Sequence, residues 1–487
     1  MPSSPTLSNQ RSFGLLEKYQ LSKTLTNCYG SVTCSAELKH QLDRPNNDPE
    51  ATLAFYLQHF HPAITRLVSR FPSLGLVVRD VNQADPYFVH TSSFPLNQIV
   101  SVLESSISLD EAIGSACDQE WVSVDDNEST LPLWRLQILT RPDALDRCTV
   151  ILTAHHVILD GSSLTLFWDS LLQELNDITA TTTTTNDNWL VTMDCLAPMT
   201  LASPMEARPT LPKPTLLDYG TLAGGLLKDA LLPTKLRQLM GMMPLEGWEG
   251  DHAAIEAEPH KTRIKVRKID NQSWQTLVQL AKKTYSVSPH AALHAAFLLA
   301  WAHVYPTHST SVSTPINYRH LAQADKEMGN FVGAYEHFWT SDDLRHPPSS
   351  TAGASQFWQL AIYYHGTLQA NKARSCIGAQ FLGLLKYPKD YVGFWEDKRK
   401  KHRMGRTGGL EHSDLGRFDT TTKGAWHLDG LWFAQSAQTY STALGLNSVT
   451  LGDSMYATFG WQDGSIDEAN VTKVMDQFVD IIQNCGQ

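Results

Sequence analysis

The chain has 487 residues, 42% of them hydrophobic and 18% charged. This composition excludes a disordered or low-complexity protein, and the length exceeds what one hydrophobic core usually serves, so two domains of roughly 200 residues each are expected. A formal net charge of −11 excludes a basic nucleic-acid-binding surface as the organising feature.

Residues 1–11 are polar and lack an apolar signal core. No stretch reaches the roughly 18–20 uninterrupted apolar residues of a membrane span. Seven cysteines, at 28, 34, 117, 148, 195, 376 and 485, are scattered without CxxC spacing and read as reduced thiols. The expectation is a soluble, cytoplasmic chain able to act as a monomer. Residues 27–34 are rich in β-branched and aromatic side chains and predict a strand. Residues 49–70 carry Leu53, Tyr56, Leu57, Phe60, Ile64, Leu67 and Val68 at helical spacing, with Pro62 expected to kink or divide the helix. Residues 71–78 lead into a strand. Residues 133–139 and 148–154 predict two more, joined by a polar loop with Pro142, Asp143 and Asp146.

The second of these strands ends in the most informative stretch, His155-His156-Val157-Ile158-Leu159-Asp160-Gly161. A neutral imidazole with an ordinary pKa of about 6.5 can take a proton from a hydroxyl, provided its ring is held in one tautomer. Neighbouring strand residues point to opposite faces. His156 is therefore read as the base and His155 as its structural neighbour. Asp160 is expected to hold the local backbone or to pair with a distant arginine, and Gly161 to permit a sharp turn. Ser162 or Ser163 is expected to cap a following helix in which Leu164, Phe167, Leu171 and Leu175 recur at helical spacing. Taken alone, a histidine pair is more often structural. Histidine also binds zinc, but no Cys or Glu lies nearby at ligand spacing, so no metal is expected.

Residues 178–215 hold the Thr181–Thr185 run and then Pro204, Pro209, Pro212 and Pro214, and predict an exposed linker or crossover. Residues 222–243 are partly helical and could cap an entrance. A second domain starts with a strand over 260–269 and helices over 274–284 and 290–303. The latter is apolar on all sides, so His294 reads as a core histidine. Residues 311–316 form a strand leading to Arg319. Strands are also expected at 408–418, 432–436 and 455–461, and a closing helix over 469–485.

The His-His-x-x-x-Asp-Gly pattern resembles the HHxxxDG signature of the chloramphenicol acetyltransferase-like superfamily, which includes condensation domains, BAHD acyltransferases and fungal alcohol acetyltransferases. Other stretches are most similar to the fungal alcohol acetyltransferase branch. Leu16-Glu17-Lys18-Tyr19 resembles its "LE+Y" opening, Phe71-Pro72-Ser73-Leu74 its "hPxL" step, and Met328-Gly329-Asn330-Phe331-Val332 its "lGNfv" turn. Ser413-Asp414-Leu415-Gly416 resembles "SNLG", with Asp414 where asparagine is usual. Phe433-Ala434-Gln435-Ser436 resembles "FsQs", and Trp461-Gln462-Asp463-Gly464-Ser465-Ile466-Asp467 resembles "tWQdGviD". The plant DFGWG motif is absent.

The resemblance implies an α/β fold of two lobes, each a mixed sheet flanked by helices, with a tunnel between them. The expected division is 1–195 for the lobe carrying the motif, 196–258 for the crossover and 259–487 for the second lobe. It implies an acyltransferase in which His156 deprotonates an alcohol as it attacks an acyl-CoA thioester, most simply acetyl-CoA, without a covalent acyl-enzyme. Asp160 would keep the loop geometry and Arg319 would pair with it. Ser436 or Gln435 would stabilise the oxyanion, and Trp461 would sit by the tunnel. Acyl-CoA is a co-substrate, and no tightly bound cofactor is expected. The basic run 398–403 is either a solvated loop or an attractor for the phosphates of that donor. The alternatives are a condensation-like enzyme using a carrier-bound donor, a relative catalysing cyclisation or isomerisation, and a silent binding protein.

Overall fold

A computed structural model describes residues 10–42, 44–45, 48–103, 106–121, 129–177, 189–193, 201–231, 247–253, 261–348, 353–420 and 424–486. The Thr181–Thr185 run and the 232–243 part of the expected helical segment lie outside these residues.

Two mixed sheets organise the chain. The first has five strands, in the order Trp426–Gln435, Ser31–His40, Ala144–His155, Trp134–Arg141 and Val100–Leu103. The Ala144–His155 strand is central and is buried along its second half, where Val150, Ile151, Leu152 and Ala154 are inaccessible. Its hairpin with Trp134–Arg141 is tight, pairing Arg141 with Ala144. Asp146 therefore lies within the strand rather than in a loop. The Pro49–Arg70 and Gly161–Asp177 helices pack together against this sheet. Asp48 caps the first of them and Pro49 opens it. Pro62 lies inside that helix without dividing it. The strand expected at 27–34 begins only at Ser31, because Asn27 adopts a left-handed φ of 53° and the chain turns before entering the sheet.

The second sheet runs Thr262–Ile269, Ser454–Gln462, Leu444–Leu451, Leu410–Phe418, Thr310–Asn317 and Val332–Trp339. It is covered by the Pro289–Val304, Gln356–Asn371 and Glu468–Asn484 helices. The first of these is buried almost all round, as its composition predicts. Phe297, Trp301, Phe459 and Phe478 form the core beneath it. The six described cysteines are free. Among the described residues no helix is long and apolar enough to cross a membrane.

The Trp426–Gln435 strand joins the two halves. It follows a strand of the second sheet in sequence, yet pairs antiparallel with Ser31–His40 at the edge of the first. It also contacts the Ser454–Gln462 and Leu444–Leu451 strands of the second sheet. Trp426 anchors it in the first core against His40, Tyr56 and Phe60. We predict that Trp426→Ala lowers stability by about 3–5 kcal/mol, read as a lower midpoint in chemical denaturation; an unchanged midpoint would show that this strand docks without supporting the sheet.

Candidate active site

At the end of the central strand the backbone donors are used up in sequence. His155 N–H donates to Leu133 O (3.0 Å) and His156 N–H to Gly30 O (3.0 Å). The chain then makes one turn, closed by Ile158 N–H to His155 O at 3.1 Å, and enters the Gly161–Asp177 helix. The two histidines face different partners. His155 is inaccessible: its Nδ1 accepts from Val157 N–H (2.9 Å), so its proton sits on Nε2, which is 2.9 Å from Thr24 Oγ. Burial pushes its pKa down to about 3. This ring ties the motif strand to the Leu15–Leu25 helix.

His156 is 8% exposed and forms part of the wall of a cavity of about 430 Å³. Its Nδ1 lies 3.0 Å from Leu159 O, an atom that can only accept, so Nδ1 carries the proton and the Nε2 lone pair is left for the cavity. Its carbonyl accepts from Asn330 Nδ2 (2.9 Å). Burial, reinforced by the charge of Lys23, lowers its pKa to about 4. The imidazole is thus neutral at cellular pH.

The loop that fixes this ring is closed by a buried ion pair. Arg319 Nη1 donates to Asp160 Oδ2 at 2.7 Å, and both side chains are almost wholly inaccessible. The same carboxylate oxygen accepts from Phe331 N–H (2.9 Å), and Oδ1 accepts from Ser163 N–H (2.9 Å) and Ser163 Oγ (3.0 Å). Arg319 also reaches Ser163 Oγ (2.7 Å), Gly329 O (3.0 Å) and Glu327 O (3.1 Å), and lies over the Phe331 ring. Burial alone would raise the Asp160 pKa, but the Arg319 charge and these hydrogen bonds outweigh it and hold the carboxyl below its ordinary value. Asp160, rather than Ser162 or Ser163, caps the helix, because its carboxylate meets the free N–H of the first turn. Gly161 sits in a close approach: a Cβ there would lie 2.4 Å from Leu415 Cδ2 and 3.3 Å from Phe433 Cζ, so a side chain would require Leu415 to shift, and no left-handed φ is involved.

The remaining sequence-derived residues divide. Gln435 is on the cavity wall, accepting from Tyr29 Oη (2.8 Å) and donating to Glu411 (3.1 Å) and Asn447 (2.7 Å). Ser436 is one position along the strand and points away; its Oγ accepts from Ser31 N–H (2.9 Å) and donates to Cys117 O (2.6 Å), welding the sheet rather than facing substrate. Trp461 is buried in the second core and is not part of the cavity wall. Tyr29, whose ring is 5.7 Å from that of His156, is a wall residue that strand propensity alone does not single out. Asn330 was visible only as part of the Gly329-Asn330-Phe331 turn. Beside the cavity, Asp414 pairs with His290 (3.3 Å), whose ring stacks on His412 at 4.4 Å and 5°. One ligand atom from each of His290, His412 and Asp414 lies within 4.8 Å of the other two, a set that could hold a metal ion. His294 is buried and stacks on Tyr364.

Removing Arg319 would strand a buried carboxylate, so Arg319→Met is predicted to cost about 3–5 kcal/mol by denaturant unfolding; a loss within experimental error would show the pair to be dispensable. The buried histidines set a pH trend as well. Folded His155 and His156 bind protons less readily than their ordinary pKa of 6.5 dictates for the unfolded chain. Unfolding therefore takes up protons between about pH 6.5 and 4, and stability should fall as pH drops through that window. His156→Gln should flatten this slope in pH-dependent melting.

Comparison with known proteins gives a consistent picture. A family model described as alcohol acetyltransferase matches residues 95–483. A probable alcohol acetyltransferase, FCK4, of Fusarium pseudograminearum (strain CS3096) is 24% identical over 443 residues, covering 86% of this chain and 84% of the relative. Among solved structures, TRI3 trichothecene 15-O-acetyltransferase from Fusarium sporotrichioides superposes with a TM-score of 0.67 at 12% identity, over 99% of this chain and 98% of that one. Polyketide synthase associated protein 5 from Mycobacterium tuberculosis gives 0.55 at 15% identity, over 96% and 98%. These two likenesses bear on the fold, which is the two-lobed chloramphenicol acetyltransferase-like one.

Proposed function

We propose, for a chain that belongs to the alcohol acetyltransferase family and is therefore an acyltransferase, that the reaction is transfer of an acyl group, most simply acetyl, from an acyl-CoA to the hydroxyl of a small or secondary-metabolite alcohol. The observation that supports this reading most is His156 on the cavity wall with its Nδ1 donating to Leu159 O, which leaves Nε2 as the unprotonated nitrogen.

In this reading Nε2 takes the alcohol proton as the oxygen attacks the thioester carbonyl. The tetrahedral intermediate then breaks its C–S bond, and the imidazolium returns the proton to the departing thiolate. Ester and free thiol are the products, and the enzyme is unchanged. The rigid Leu159 contact means that no reorientation is needed between the two proton transfers. Asp160 is a positioning residue here. Its charge is already neutralised by Arg319, so it holds the loop and does not titrate with the base. Gln435 positions Tyr29 against the imidazole.

Coenzyme A release from acetyl-CoA, measured across a panel of alcohols and amines, tests the proposal. His156→Ala is expected to lower turnover by about 10²–10⁴-fold; absence of release with every acceptor and every acyl donor would overturn the acyl-CoA reading. Because the His156 pKa is lowered to about 4, the base stays unprotonated well below pH 6.5. The acid limb of kcat/KM is expected near pH 4, measured in the range where the protein remains folded. An acid limb near the ordinary histidine value would contradict the burial of this ring.

A further inference from the structure

Two ammonium groups line the His156 cavity, and among the described residues neither forms an ion pair. Lys23, on the Leu15–Leu25 helix, is 8% exposed, and its Nζ lies over the rings of Tyr29 (4.6 Å), Tyr19 (5.0 Å) and Trp395 (5.4 Å). Lys398, on the Lys389–Lys401 helix, places its Nζ 5.0 Å from the same Trp395 ring and 4.8 Å from Phe394. Both line the cavity, and among the described residues neither has a hydrogen bond or an ion pair at its ammonium. The neighbours of Lys398 differ. Lys400 and Lys401 pair with Glu396 (3.6 Å) and Asp397 (3.0 Å), His402 with Glu249 (3.2 Å), and Arg399 lies over Tyr440. Of the basic run, Lys398 is thus the member turned toward the site.

Aromatic faces stabilise a cation but do not neutralise it. A lysine this buried is rare without a partner. Once a ligand fills the cavity and expels its water, each ammonium lacks a hydrogen-bonded acceptor among the described residues. The acidic groups on the wall are otherwise engaged. Glu411 accepts from Gln435 and Gln438 Nε2 (3.1 and 2.8 Å), and Asp414 from Ser448 Oγ and Gly416 N–H (2.9 and 3.0 Å) besides its contact with His290. Glu336 also lines the cavity, and its charge acts on Lys398 as that of Glu411 acts on Lys23, without an ion pair to either lysine among the described residues. Position matters too. Tyr29 touches both the Lys23 ammonium and the His156 ring, so an anion held by Lys23 lies beside the reacting centre rather than at the far end of a long donor.

We propose that Lys23, assisted by Lys398, receives a carboxylate carried close to the reacting group of one substrate. The inference rests on the reading of this cavity as the acyl-transfer site. A carboxylate so placed belongs either to the acceptor, as a hydroxy acid, or to the donor, as a dicarboxylic acyl thioester.

Equilibrium binding to the full-length protein tests this without requiring turnover. One arm compares short hydroxy acids with their methyl esters, and the other compares succinyl-CoA with butyryl-CoA, by calorimetry on wild type, Lys23→Met, Lys23→Arg and Lys398→Met. The charged member of at least one pair is expected to bind wild type about 10-fold or more tightly, with the preference lost in Lys23→Met, weakened in Lys398→Met and retained in Lys23→Arg. The arm that responds identifies the source of the carboxylate. If Lys23→Met does not fold, weakening in Lys398→Met alone decides in favour. Equal binding within both pairs in wild type, or a preference that survives in every folded variant, would overturn the proposal. Failure of coenzyme A release bears instead on the acyl-transfer reading, since binding is read separately.

Discussion

The buried pair between Asp160 and Arg319 is the constraint on which the site depends. Removing two charges from water is costly, and a buried ion pair is weak evidence for net stability. What the pair supplies here is geometry. One carboxylate is bonded at once to a helix N-terminus through Ser163, to the Phe331 backbone and to a guanidinium that also grips Gly329 and Glu327. The turn after the motif strand is therefore tied to a segment 159 residues away. Leu159 O, one residue before Asp160, is the atom that sets the tautomer of His156. A loop free to move by one rotamer would lose that contact and with it the direction of the Nε2 lone pair.

The larger architecture serves the same end. The central strand carries the histidines to a place where the first sheet meets elements of the second half. The Trp426–Gln435 strand, by leaving one sheet to join the other, brings Gln435 next to Val32 and so close to the motif terminus. Cavity walls come from the Leu15–Leu25 helix on one side and the Thr310–Asn317, Val332–Trp339 and Leu410–Phe418 strands on the other. Each half supplies part of the cavity wall: His156 and Lys23 from the first, Glu411 and Lys398 from the second.

Local features of the sequence were the most legible. A β-branched run, two histidines, an acid and a glycine before a helical pattern are all set by near neighbours, and the strand, turn and helix follow within 34 residues or so of one another. Arg319 was readable only through a family resemblance, because nothing within its own stretch indicates a partner so distant. What the sequence left open turned on tertiary contact. Ser436 and Gln435 are adjacent, and only register with Ser31–His40 decides which faces the cavity. Gly161 packs closely against Leu415, a residue that sequence does not place beside it. Lys23 and Lys398 stand on separate helices and meet across Trp395, a relation no spacing rule expresses.

The site turns on a single imidazole held in one tautomer, and nitrogen chemical shifts report that state directly. In protein with 15N-labelled histidine, with the His156 signals assigned by their loss in His156→Gln, wild type is expected at neutral pH to show a protonated Nδ1 and an unprotonated Nε2, and Arg319→Met to lose that single state. A proton on Nε2, or a rapidly averaging pair of tautomers in the wild-type protein, would contradict it.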